Sequence, residues 1–202
     1  GITWRGGRTR GGVGRGWLAD GPRQPPLRVS PFGFAQAHEC QNEALIRRVG
    51  ELGHGYASAI ELFAGAGNFT RELLPSREHL TAVELDRDAM RELRRTTAPW
   101  EGRVDLLRTK AATALERLAK DKRRFDLAVL DPPRAGLGTG AMAHLCAITT
   151  SRIVYVSCDV ATLARDVAEA RAQGFERSCV EVFDFMPMTS QVEVLVTLDR
   201  AP

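Results

Sequence analysis

No stretch of these 202 residues stays apolar for the roughly 18 to 20 positions that a bilayer-crossing helix needs. The N-terminus also lacks the ordered charged, apolar and small-residue regions of a secretion signal. A cytoplasmic location without a membrane partner is the expectation. Cysteine is sparse and scattered: Cys40, Cys146, Cys158 and Cys179 form no CxxC pair, which excludes the usual zinc-ligand spacing and a disulfide framework. They read as reduced thiols, and no metal is expected. Nor is the composition that of a disordered chain, because 44% of the residues are hydrophobic and 26% are charged. This length suits one globular core with a small appendage. The first residue is Gly rather than Met, which leaves a longer parent protein open.

The charge that is present is unevenly placed. Residues 1–30 hold six Arg against one Asp, whereas the remainder holds 22 basic and 24 acidic residues. A basic arm suits contact with phosphates, and it equally suits a solvated terminus. Residues 1–16 contain seven Gly and four Arg, too little apolar surface for a core, although Trp4, Val13 and Trp17 fit short hairpin strands. Residues 21–31, with four Pro, read as an extended connection. The expected division is an arm and connection over 1–31 and a folded domain over 32–202.

From Phe32 onward, short apolar runs alternate with helical periodicity. Leu45, Val49 and Leu52 fall at i, i+4 and i+7, and residues 59–63 then form a buried strand. Further strands are predicted near 80–85, 104–107, 127–130 and 153–156. Helices marked by Met90 and Leu93, by Ala112, Leu115 and Leu118, by residues 142–148, and by Leu163, Val167 and Ala170 separate or follow them. Residues 179–183 and 192–198 have only a loop between them and should pair antiparallel. The pattern predicts an α/β fold: a doubly wound, mostly parallel, seven-stranded Rossmann-like sheet closed by a C-terminal hairpin. Ligands in such sheets sit beyond the carboxyl ends of the strands.

Most of the chemically suggestive residues fall at that edge. The run from Glu61 to Thr70, ELFAGAGNFT, reads as strand, glycine turn and helix start, where missing side chains admit a ligand to the backbone. Glu84 follows Gly67 by 17 residues, near the end of the second strand, where a carboxylate can accept from both hydroxyls of an adenosine ribose. Thr70 stands where a dinucleotide fingerprint has its third glycine. S-adenosylmethionine, which has no pyrophosphate, is therefore favoured over a nicotinamide cofactor. The fourth strand ends in Asp131-Pro132-Pro133-Arg134, and the fifth in Ser157-Cys158-Asp159, so a carboxylate and a thiol share one crevice.

The motifs ELFAGAGNFT, DPPRAGLG, VYVSCDVATLARD and DFMPMTSQVE, in this order, resemble those of the bacterial RNA uracil-5-methyltransferase family, whose members modify ribosomal and transfer RNA. Phe34-Ala35-Gln36-Ala37-His38 is similar to that family's FxQxN motif. The likeness covers about residues 30 to 200. It implies a class I methyltransferase domain that forms 5-methyluridine, with Cys158 as nucleophile, Glu193 as base and Asp131 beside them. It further implies a cofactor site of Gln36, Phe63, Gly65, Gly67, Asn68, Glu84 and Asp131, and a substrate site of Phe34, Gln36 and Arg134. Carbon 5 of uracil is a poor nucleophile, and a thiolate added at carbon 6 makes it reactive. Gln36, then Arg134, is the candidate donor to the developing enolate oxygen, and Glu193 is suited to removing the carbon 5 proton. The target uridine of an rRNA or tRNA must leave its stack to reach the crevice.

The chain departs from the family pattern at His38, Val160 and Gln191, where the family has Asn, Pro and His. The N-terminal β-barrel and the iron–sulfur cysteines of many relatives are not in this sequence, and a monomer without an iron–sulfur cluster is expected. Two other readings stay open: methylation of another base or small-molecule acceptor, which makes Cys158 dispensable, and an inactive RNA-binding fragment of the same family.

Overall fold

Strands that are apolar on both faces need helices on both faces to bury them, and the computed structural model has that arrangement over its described residues, 2–6, 9–13, 17–20, 25–36 and 38–201. The elements in chain order are β1 (Ile2–Gly6), β2 (Thr9–Val13), β3 (Leu18–Asp20), β4 (Leu27–Val29), α1 (Glu39–Leu52), β5 (Ser58–Leu62) and α2 (Thr70–Leu73). Then follow β6 (His79–Glu84), α3 (Arg87–Thr97), β7 (Val104–Arg108), α4 (Ala111–Lys120) and β8 (Phe125–Leu130). The chain closes with α5 (Ala141–Ile148), β9 (Thr149–Ser157), α6 (Val160–Ala172), β10 (Phe175–Phe183) and β11 (Glu193–Arg200).

The main sheet has seven strands in the order β10-β11-β9-β8-β5-β6-β7. All pairs among β5 to β9 are parallel, and β11 inserts antiparallel between β9 and β10. The predicted doubly wound sheet with a closing antiparallel hairpin is thus the observed one. Strand alternation divides the core. Ile60, Leu62, Ala128, Leu130, Ile153 and Tyr155 pack with α4, α5 and α6, and Ala59, Leu127, Val129, Val154 and Val156 pack with α1, α2 and α3. Helix starts are fixed locally: Asp86 accepts from the Asp88 and Ala89 N–H groups, and Asp159 accepts from Thr162 N–H, caps worth about 1 kcal/mol each.

Before the sheet, β1 pairs with β2 and β3 with β4. Trp4 lies on β1, Val13 on β2, and Trp17 just ahead of β3. Within the stretch read as a connection, Leu27 and Val29 are buried, and Arg28 lies 3.4 Å from the buried Glu92 of α3 and over the Trp17 ring. Three apolar-or-basic residues among prolines give little periodicity, so this strand has a weak sequence signature. Residues 7, 8, 14–16 and 21–24 of the arm and connection, and Ala37 of the Phe34–His38 motif, lie outside the described residues.

Candidate active site

Strand period two decides which carboxylates meet. Glu61 on β5, Asp131 one residue past β8 and Glu193 at the start of β11 all have the parity that faces α1, α2 and α3, alongside Ala59, Val129 and Leu195. Cys158 follows the last residue of β9, where the β9–β11 ladder ends on the pair Val194↔Ser157. The chain then turns into α6 through Asp159, whose N–H donates to Ser157 Oγ at 3.1 Å. Thiol and carboxylates therefore occupy one end of the sheet, as the motifs predict.

The electrostatics of this cluster follow from burial. Burial pushes Asp131 up to about 7, the Glu193 carboxylate adds to the rise, and the Gln36 amide opposes it through a 3.4 Å hydrogen bond. Burial also raises Glu193 above the usual carboxylate range, and its Oε2 is buried without a hydrogen-bond partner. The Cys158 thiol is raised by burial first, then by Glu193 and Asp131, while the Arg134 charge pulls it down. A resting thiol beside two carboxylates is held protonated.

Two adjoining cavities open on the glycine turn. The narrower, about 50 Å³, is lined by Gln36, Glu61, Phe63, Gly65, Asn68 and Asp131 among others. The wider, about 370 Å³, runs from Phe34 and Phe63 past Gly65 to Glu84. Gly65 has φ +56, and a Cβ built there meets nothing within 4 Å, so the turn leaves open space beside its backbone. Glu84 buttresses this turn by accepting from Gly65 N–H at 2.8 Å and from Asp86 N–H at 2.6 Å. Phe63, at φ 59, is a bulky residue in the left-handed region, strain that persists only where the surroundings enforce it. Gly67 lines neither cavity. A Cβ there would lie 2.9 Å from Leu93 Cδ1, so its missing side chain lets α3 pack. Asn68 is held by a reciprocal amide pair with Asn42, at 2.8 and 3.3 Å, which ties the turn to α1. Phe34 is 80% exposed at the rim.

The lining has a chemical bias. Among the described residues around the two cavities there are five carboxylates (Glu61, Glu84, Asp86, Asp88, Asp131) and no Lys or Arg. Burial raises Asp131 and Glu61 toward protonation near neutral pH, so Glu84, Asp86 and Asp88 of the wider cavity are the ones that chiefly repel a pyrophosphate and suit a cation.

Two supporting groups, Glu61 and Asp166, have no role legible in the sequence, and Gln191 is marked there only as a departure from the family pattern. Glu61 is buried and accepts from Thr70 Oγ1 at 2.6 Å, and burial pushes it up to about 8 against that hydrogen bond. A lone carboxylate inside the strand SAIEL was the available signal. Asp166 of α6 is fully buried, accepting from Tyr155 OH at 2.6 Å and from Leu137 N–H at 2.9 Å, which pins the loop after Pro133. Gln191 accepts from Arg134 Nη2 at 2.7 Å.

Sheet order, glycine turn and carboxyl-edge cluster define a class I methyltransferase fold. A tRNA (uracil-54, C5)-methyltransferase of Pyrococcus abyssi, solved with S-adenosyl-L-homocysteine, superposes with a TM-score of 0.79 at 24% identity, over 92% of this chain and 45% of that one. Residues 43–176 match the family model described as conserved hypothetical protein 95, and the chain belongs to that family. An uncharacterized RNA methyltransferase of Streptomyces coelicolor is 33% identical over 96% of this chain and 44% of its own length. A 23S rRNA (uracil(1939)-C(5))-methyltransferase of Klebsiella pneumoniae is 32% identical over 91% of this chain and 42% of its own length. The chain thus spans less than half the length of these relatives, whose names bear out the resemblance read from the motifs.

Proposed function

We propose that this chain is the catalytic unit of an S-adenosylmethionine-dependent methyltransferase that forms 5-methyluridine in ribosomal or transfer RNA. The observation that carries the reading is the convergence of Cys158 with the buried, unpartnered Glu193 carboxylate at the edge of the sheet. Keeping such an oxygen unpaired costs about 1 to 3 kcal/mol, which is reasonable for a base awaiting a proton. The names of the relatives support the same chemistry.

The acidic, lysine- and arginine-free cavities fit S-adenosylmethionine, whose sulfonium and amino groups are cationic. Glu84 and the Gly65 turn would hold its adenosine end, with Gln36, Phe63, Asn68 and Asp131 nearer the reacting end. When bound, the cofactor supplies an electrophilic methyl group. The Cys158 thiolate adds to carbon 6 of the flipped uracil, the sulfur–carbon bond forming as the ring's double bond shifts toward the carbon 4 oxygen. Gln36, whose amide donates one N–H to Asp131 and has a second to give, would steady that oxygen, with Arg134 as the second candidate. Once carbon 5 is methylated, Glu193 takes its proton, the double bond re-forms and the sulfur leaves as thiolate. Phe34, exposed at the rim, would stack on an RNA base.

The test is incubation with S-adenosylmethionine and 5-fluorouridine-containing RNA, because fluorine at carbon 5 blocks the last proton removal. A covalent protein–RNA band that disappears in Cys158→Ala is expected. Methylated product at full rate from Cys158→Ala would refute the covalent route and favour another acceptor. Cofactor binding with no transfer to any RNA would mark an inactive fragment.

A further inference from the structure

Cys158 needs a cation, because Glu193 and Asp131 face it with negative charge. Arg134 supplies one that acts on both Cys158 and Asp159, yet its side chain is exposed and long. Its backbone, by contrast, is clamped. The Arg134 carbonyl accepts from Thr162 Oγ1 at 3.0 Å, Gly136 N–H closes a turn onto Pro133 O at 2.8 Å, and Leu137 N–H is held by Asp166. What remains to be fixed is the direction of the guanidinium, and Gln191 meets it at 2.7 Å from a loop 57 residues away. That loop is itself ordered. Gln191 N–H donates to Thr189 Oγ1 at 3.1 Å, and Thr189 Oγ1 donates to Met186 O at 2.7 Å.

We propose that Gln191 is a positioning residue: its side-chain carbonyl holds the Arg134 guanidinium at the mouth of the crevice, where that cation stabilises the Cys158 thiolate. A neutral amide suits the task. It accepts a hydrogen bond without cancelling the charge, as a carboxylate would, and it holds across the neutral range, where a His would change protonation state. The two loops joined by this contact flank the thiol, one following β8 and the other preceding β11. The role deepens the proposed function, since it rests on Cys158 acting as the nucleophile.

The experiment is the pH dependence of Cys158 alkylation by iodoacetamide, read by mass spectrometry of the peptide carrying Cys158. This reports the thiol directly, without RNA or cofactor. In Gln191→Ala the titration midpoint should rise by about half a unit, which is about threefold less thiolate near neutral pH. Arg134→Ala should raise it at least as far. Adding Gln191→Ala to Arg134→Ala should then change nothing more, a non-additivity that mere loosening of the loop does not produce. An unshifted midpoint in Gln191→Ala, or the same shift with and without Arg134, overturns the proposal. A methylation-competent Cys158→Ala would instead refute the nucleophile while leaving the alkylation result standing.

Discussion

Glu193 lies opposite Cys158. The antiparallel β9–β11 register ends on Ser157 and Val194, and carried one step further it pairs these two residues across the open end of the ladder. In the proposed mechanism a thiol and a carboxylate so placed would act on the same ring from adjoining strands, one to bond and one to deprotonate.

Replacing Glu193 by Gln keeps its shape and removes the proposed base. Turnover should fall by about 100-fold or more, and a covalent adduct should accumulate with ordinary RNA, visible as a band retained on a denaturing gel. In the intact protein, burial raises this carboxyl, so activity should fade on the acid side at a higher pH than an unperturbed Glu would give. Normal turnover by Glu193→Gln removes it from the mechanism.

The two glycines of the turn should separate binding from folding. Gly65→Ala places a methyl group in open space at φ +56, costing about 1 to 2 kcal/mol of stability while narrowing the ligand's approach. Gly67→Ala at φ +101 also drives a carbon to 2.9 Å from Leu93 Cδ1, so a loss of about 2 to 4 kcal/mol is expected. Thermal unfolding and calorimetric titration with S-adenosyl-L-homocysteine distinguish them: weaker binding dominates in Gly65→Ala, weaker folding in Gly67→Ala.

Glu61 sets a pH dependence of stability. Its carboxyl titrates at about 8 in the folded chain against an ordinary value of 4.5. Between those values the folded state binds more protons than the unfolded state, so its contribution to stability declines as pH rises from about 4.5 to 8. Glu61→Gln retains an acceptor for Thr70 Oγ1 and should flatten that decline, raising the melting temperature most near pH 8. A variant with the same slope as the parent would locate the proton uptake elsewhere.

Tyr155→Phe removes one donor to Asp166. A charge-assisted hydrogen bond of 2.6 Å is lost, at a cost of about 1.5 to 3 kcal/mol. Urea unfolding measures the loss. Faster hydrogen exchange at the Leu137 amide, which shares the same oxygen, would show that the loop carrying Arg134 has loosened.

Much of this was legible in the residues. The buried strands announce themselves because apolar runs such as LAVL and IVYV have no polar face, and the thiol and carboxylates fall at strand ends that period and length locate. The rest depends on distance. Asp166 lies on a helix with nothing local to mark it as buried, and its contacts with Tyr155 and with Leu137, 29 residues away, are visible only in the structure. Gly67 reads as room for a ligand, whereas the structure spends that room on Leu93 and Thr96 of α3. Gln191 is visible in the sequence only as a departure from the family pattern, and its partner, 57 residues earlier, is visible only in the structure.

One wall of the wider cavity comes from chain that never joins the seven-stranded sheet: Val29, Ser30, Phe32, Gly33 and Phe34. That strap is anchored by buried Leu27 and Val29 and by Arg28 against Glu92. A shortened protein beginning at α1 would keep every strand of the sheet yet leave the ligand roofless. The proposed methyl-donor pocket therefore depends on chain upstream of the sheet, and a truncation at α1 would remove both a cavity wall and the buried anchors that hold it.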